Sequence, residues 1–205
     1  MAIISNATTI ADAGAFSVSL GSMVHIKTLT ASSSATLSFV DGADSVVLDS
    51  TYPIYKFEFI NIHNSAESIF QVNFRDGGTA YDATKTTTYF YAYAAENDGE
   101  AGLIYSAADD LAQSTDPQRI ARSYGIENDE SISGELILYN PSSTVSVKHF
   151  ISSGNYVDVS GSPLSIRFQI GGYCNVTAAI DGVQFSCASG NIDAGKIKLY
   201  GIKDS

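Results

Sequence analysis

Apolar and polar side chains alternate with a period of two in several stretches of this chain. In Tyr55-Lys56-Phe57-Glu58-Phe59 three rings fall on one side and two charges on the other, while Leu164, Ile166, Phe168 and Ile170 alternate with Ser165, Arg167 and Gln169. Successive side chains of a strand point to opposite faces, so each stretch predicts a half-buried antiparallel strand. The pattern returns in Lys196-Ile197-Lys198-Leu199-Tyr200-Gly201-Ile202-Lys203, with only Asp204 and Ser205 beyond it. A closing strand of this kind is expected to be paired into a sheet rather than left to fray.

The same reading predicts strands over 23–30, 35–40, 45–49, 54–63, 69–74, 87–94, 131–139, 145–151, 164–170, 174–178, 183–187 and 196–202. Between them stand Asp41-Gly42, Asp76-Gly77-Gly78, Asn97-Asp98-Gly99, Asn140-Pro141-Ser142-Ser143 and Asp181-Gly182. These residues tolerate positive φ or close tight turns. A dozen short strands without alternating helices predict an all-β fold, a two-sheet antiparallel β-sandwich of jelly-roll-like kind. One domain is expected over 1–205, with a polar surface insertion around 96–130 and a short helical turn at Ala107-Ala108-Asp109-Asp110-Leu111-Ala112. Gly134 and Gly201 lie inside predicted strands, where glycine marks a bulge or a close backbone approach.

Composition supports strands: 44% of the 205 residues are hydrophobic, with 12 Tyr, 10 Phe and no Trp. Charge narrows the partners. Twenty-two acidic residues against 11 basic ones leave a formal net charge of -11. Phosphate binding rests on Lys and Arg clusters, so neither nucleic acid nor an anionic lipid surface is an expected partner. No apolar run reaches the roughly 18 residues of a membrane span, and no membrane insertion is expected. Met1-Ala2-Ile3-Ile4-Ser5-Asn6 lacks the basic start and apolar stretch of a secretory signal, so export by the usual route is not expected. Cys174 and Cys187 read as small core hydrophobes rather than a bridge.

Candidate chemistry is sparse. His25, His63 and His149 are isolated in the sequence, without a second His or Cys at metal-ligand spacing. Neither Ser153-Gly154-Asn155 nor Ser189-Gly190-Asn191 stands in a Gly-x-Ser-x-Gly context, and no phosphate-binding or dinucleotide fingerprint occurs. A non-enzymatic role is therefore expected, without catalytic residues, cofactor or dedicated metal. The acidic clusters Glu96-Asn97-Asp98-Gly99-Glu100 and Glu127-Asn128-Asp129-Glu130 read first as solvated loops. Their hard oxygen ligands are of the type calcium prefers, although neither has EF-hand spacing. In Tyr89-Phe90-Tyr91-Ala92-Tyr93 three tyrosines share one face. Such a face lines a core, covers a sheet edge, or supplies rings and hydroxyls to a sugar or protein partner. Tyr89, Tyr91, Tyr93, Glu96, Asp98 and Glu100 are thus the candidate surface-recognition residues.

One order of segments carries a family resemblance. It runs from Tyr55-Lys56-Phe57-Glu58-Phe59-Ile60-Asn61-Ile62, through Phe70-Gln71-Val72-Asn73-Phe74-Arg75-Asp76-Gly77-Gly78 with Tyr81, to Gly134-Glu135-Leu136-Ile137-Leu138-Tyr139-Asn140-Pro141 and Lys148-His149-Phe150. It ends on Ser189-Gly190-Asn191 and Gly195-Lys196-Ile197-Lys198-Leu199-Tyr200-Gly201-Ile202. This order resembles small β-sandwich virion proteins of tailed bacteriophages, especially phages of marine bacteria, and covers most of the chain. The resemblance implies a structural protein of a virion assembled in the host cytoplasm, a homo-oligomer contacting other virion proteins. Two roles follow from it. One is a tail-associated fibre, tip or attachment module binding a host cell-surface glycan or protein; the other is a capsid decoration or cement protein without receptor binding. No catalytic residue is implied.

Overall fold

The computed structural model describes residues 3–5, 8–12, 15–16, 22–158 and 163–204, so of the Met1–Asn6 stretch only 3–5 are described. Among the described residues every regular element is a strand and every pairing is antiparallel. Three short strands, β1 (Ile3–Ser5), β2 (Thr8–Asp12) and β3 (Ala15–Phe16), form a small sheet of their own. The rest build two facing sheets. The larger is ordered β4 (Met23–Thr30), β15 (Ile192–Ile202), β6 (Ile54–Asn64), β11 (Ile132–Tyr139), β12 (Lys148–Asp158), β13 (Leu164–Cys174), β8 (Lys85–Ala95) and β9 (Ala101–Tyr105). The smaller is ordered β10 (Gln118–Tyr124), β7 (Ser68–Arg75), β14 (Gly182–Cys187) and β5 (Thr36–Val40). This is the two-sheet sandwich that the alternation predicts.

The alternating faces meet between the sheets. Tyr55, Phe57 and Phe59 of β6 are buried, and Lys56 and Glu58 lie on the outer face, where Lys56 pairs with Glu135 of β11 at 2.8 Å. Phe57 and Phe59 pack against Phe39, Phe70 and Phe185 from three strands of the smaller sheet, with ring centroids 5.2–5.7 Å apart where Phe57 meets Phe39 and Phe185 and where Phe59 meets Phe70 and Phe185. Phe74 of β7 meets Phe150 of β12 at 4.9 Å. Truncating such a ring costs about 3–5 kcal/mol, so this aromatic seam is what holds the two sheets face to face.

Three expectations are corrected. Residues 45–49 are not a strand: Asp44 and Ser45 adopt left-handed φ of 49° and 65°, which folds Val46 and Leu48 into the core without a ladder partner. Residues 174–178 are not a separate strand either, because Cys174 ends β13 and the chain then leaves the sheet. The polar stretch 96–130 is not a plain surface insertion, since it contains β9 at the edge of the large sheet and β10 at the edge of the small one. The helical turn within it is a single hydrogen-bonded turn, in which Asp109 and Asp110 N–H groups both donate to the Ser106 carbonyl at 3.2 Å. Asp109 then turns inward, and one turn is as far as the winding goes.

Candidate functional site

Eight strands face four, so one flank of the larger sheet overhangs. β10 closes the small sheet opposite β12 and β13, leaving the inner face of β8 and β9 only partly covered. The three tyrosines of β8 follow that gradient. Tyr89 is fully buried and its hydroxyl donates to the Ile120 carbonyl at 3.0 Å; Tyr91 is 9% exposed; Tyr93 is half-buried. Consecutive ring centroids are 6.2 Å apart. Tyr89 is therefore corrected from a surface residue to a core one, because β10 lies over it. Burial pushes its hydroxyl pKa upward, which keeps it a neutral donor.

Where the cover ends, a cleft of about 710 Å³ opens between the sheets. Tyr91, Tyr93, Ile104 and Leu164 supply its apolar wall, and Arg119, Arg122, Glu67, Glu100 and Asp158 supply charged groups. Its size and mixed lining are those of a small-ligand pocket.

The two arginines are fixed from behind. Arg119 Nη1 donates to Asp109 Oδ1 at 3.0 Å and Arg122 Nε to Asp109 Oδ2 at 2.9 Å, one guanidinium to each oxygen. The Asp109 side chain has no exposed surface and also accepts from the Ser106 hydroxyl, whereas the arginines remain 44% and 41% exposed. Arg122 Nη1 further donates to the Tyr91 hydroxyl at 2.9 Å, and its guanidinium lies 5.4 Å from that ring's centroid. Burial is the largest influence and works against the Arg122 charge, but Asp109 together with Tyr91, Tyr156 and Tyr89 outweighs it and the pKa is raised. Positions three apart on a strand would ordinarily face opposite ways. The register of β10 against β7 shifts between Arg119 and Ala121 and again between Ala121 and Tyr124, so Ile120 and Ala121 are both buried while both arginines reach the cleft.

Of the predicted recognition residues, the cleft gathers Tyr91, Tyr93 and Glu100. Glu96 and Asp98 stay on the exposed β8–β9 turn, where Asp98 takes a φ of 58° and the Ala95 N–H donates to the Glu100 carbonyl at 2.9 Å. The second acidic cluster divides. Glu127 and Asp129 are exposed, but Glu130 is fully buried and its Oε2 accepts from the Glu127 N–H at 2.7 Å. Among the described residues no three His, Cys, Asp or Glu side chains assemble as a metal group. His63 Nε2 contacts the Ile126 and Glu127 carbonyls, His25 contacts Thr28, and His149 packs on Tyr173. Cys174 and Cys187 are free thiols on strands of different sheets, each pushed up to about 12 by burial.

Arg119, Arg122 and Asp109 are the site residues that sequence reasoning missed. The signal available for them was slight: two arginines in a polar stretch whose bulges no periodicity reveals. No protein-family model, curated protein or solved structure matches the chain.

Proposed function

We propose that this chain is a non-enzymatic structural protein of a phage virion, tail-associated and host-recognising, and that the cleft beneath the β8–β9 overhang binds the host cell surface. The observation that carries the reading is the Arg119–Asp109–Arg122 bridge beside Tyr91 and Tyr93. A buried carboxylate orients two half-exposed guanidiniums toward an open, aromatic-walled space, which is the preorganised polar and apolar mixture that ligand recognition uses. The order of strand and turn segments that resembles tailed-phage virion proteins supplies the setting.

A second reading, capsid decoration or cement without receptor binding, is favoured by the outer face of the same flank. Phe90, Leu103 and Tyr105 are 41%, 73% and 55% exposed there, with Ala92, Ala94 and Ala101 around them. Apolar surface of this kind suits a contact with another virion subunit, including a second copy of the chain. Particles lacking the protein decide between the two. The recognition reading expects intact particles that fail to adsorb; normal adsorption by fragile or incomplete particles would overturn it in favour of decoration.

A further inference from the structure

Resting on the recognition reading, we propose that the cleft takes an uncharged saccharide, holding adjacent hydroxyl groups between the Arg119–Arg122 pair and the carboxylates of Glu67, Glu100 and Asp158. Charge decides the class. Two guanidiniums reach the cleft, and both already share the buried Asp109 carboxylate. Three further carboxylates line the same space. An acidic sugar would gain from the arginines but meet three like charges, after approaching a chain of net charge -11. A cationic group would meet the arginines.

A hydroxyl suffers neither penalty. It accepts from a guanidinium N–H and donates to a carboxylate at the same time, so neighbouring hydroxyls on one ring satisfy both kinds of lining group. Ser68 and Ser189 add groups of the same dual character. The half-buried Tyr93 ring, with Ile104 and Leu164, offers an apolar wall against which the C–H face of a pyranose can pack. Preorganisation favours the fit, because the Arg122 side chain is held by Asp109 and the Tyr91 hydroxyl before any ligand arrives.

The test uses the full chain on immobilised oligosaccharides ending in glucose, galactose or mannose, against others ending in glucuronate or galacturonate. Binding to at least one neutral probe is expected, with affinity changing less than about threefold between low and high salt, since no net charge is neutralised. Tyr93→Ala and Arg119→Gln should each weaken it about tenfold, measured below the temperature at which either variant begins its cooperative melting. Tighter, salt-sensitive binding of the uronate probes would overturn the uncharged class and leave the recognition reading standing. Neutral binding that both variants leave intact would remove the sugar from this cleft. If no saccharide binds while particles lacking the chain fail to adsorb, the saccharide class falls and recognition stands; if those particles adsorb normally, recognition itself falls.

Discussion

At the scale of single residues, buried charge is where this sandwich takes its risks. The Asp109 carboxylate pairs with both Arg119 and Arg122, and its side chain has no exposed surface. Replacing it with Ala removes a buried charge but leaves two arginines that can still reach water. The cost should therefore fall below that of orphaning a buried ion, at about 1–3 kcal/mol. Urea unfolding of Asp109→Ala should give a lower midpoint at unchanged slope. Lys85 is the opposite case, a buried cation whose Nζ donates to Asn73 Oδ1 at 2.6 Å and the Ala83 carbonyl at 2.8 Å. Burial lowers its pKa from 10.5 to about 8. Below pH 8 both folded and unfolded chains hold the proton, and the burial penalty is fully present. Between about 8 and 10.5 the folded chain holds fewer protons, so this group makes stability rise with pH. Cys174 and Cys187 act the other way above pH 9, because the folded thiols keep protons that the unfolded ones release. Urea unfolding of wild type and Lys85→Met across pH 7–9 isolates the lysine: the wild type should gain on the variant as pH rises, and a constant difference would refute the assignment.

At the scale of elements, legibility followed packing. Segments buried on one face, such as β6 and β13, declared themselves through strict alternation, and so did β15. That strand lies between β4 and β6 with Ile197 and Leu199 fully buried. Removing residues 196–205 should strip partners from both neighbours and delete two core side chains. At about 2–5 kcal/mol for each, the loss approaches the whole stability of a domain. The truncated chain is expected to be insoluble or to lack a cooperative melting transition, and a wild-type melting curve would contradict this. β9 and β10 were illegible for physical reasons. β9 is an edge strand exposed on both sides and Ala101–Tyr105 holds no polar residue, so no alternation marks it, and β10 breaks its own period with two bulges. Residues 45–49 carry the apolar run Val46-Val47-Leu48 yet form no ladder, because such a run reports burial and two left-handed residues denied the segment a partner. The tyrosine face was legible as a face. Its gradient from core to cleft was not, because that depends on where the smaller sheet stops.

At the scale of the whole molecule, the unequal sheets give one flank two usable surfaces. The inner side of the β8–β9 overhang opens into the cleft through Tyr91, Tyr93 and Ile104, while the outer side presents Phe90, Leu103 and Tyr105. Under the proposed reading, neighbouring positions of one strand report on different roles. Leu103→Glu adds a charge to the outer patch, and at 73% exposure the side chain contributes little to folding, so the melting temperature should hold. A chain already at -11 would resist docking this patch against a copy of itself or another acidic subunit once the charge is added. Tyr93→Ala alters the cleft and leaves the outer patch unchanged. Particles assembled with each variant should then separate the functions: Leu103→Glu should lower incorporation of the protein, and Tyr93→Ala should lower adsorption at normal incorporation. Quantifying the protein per particle alongside the adsorption rate checks both. Loss of adsorption with Leu103→Glu at full incorporation, together with an unaffected Tyr93→Ala, would move recognition from the cleft to the outer face of the sheet.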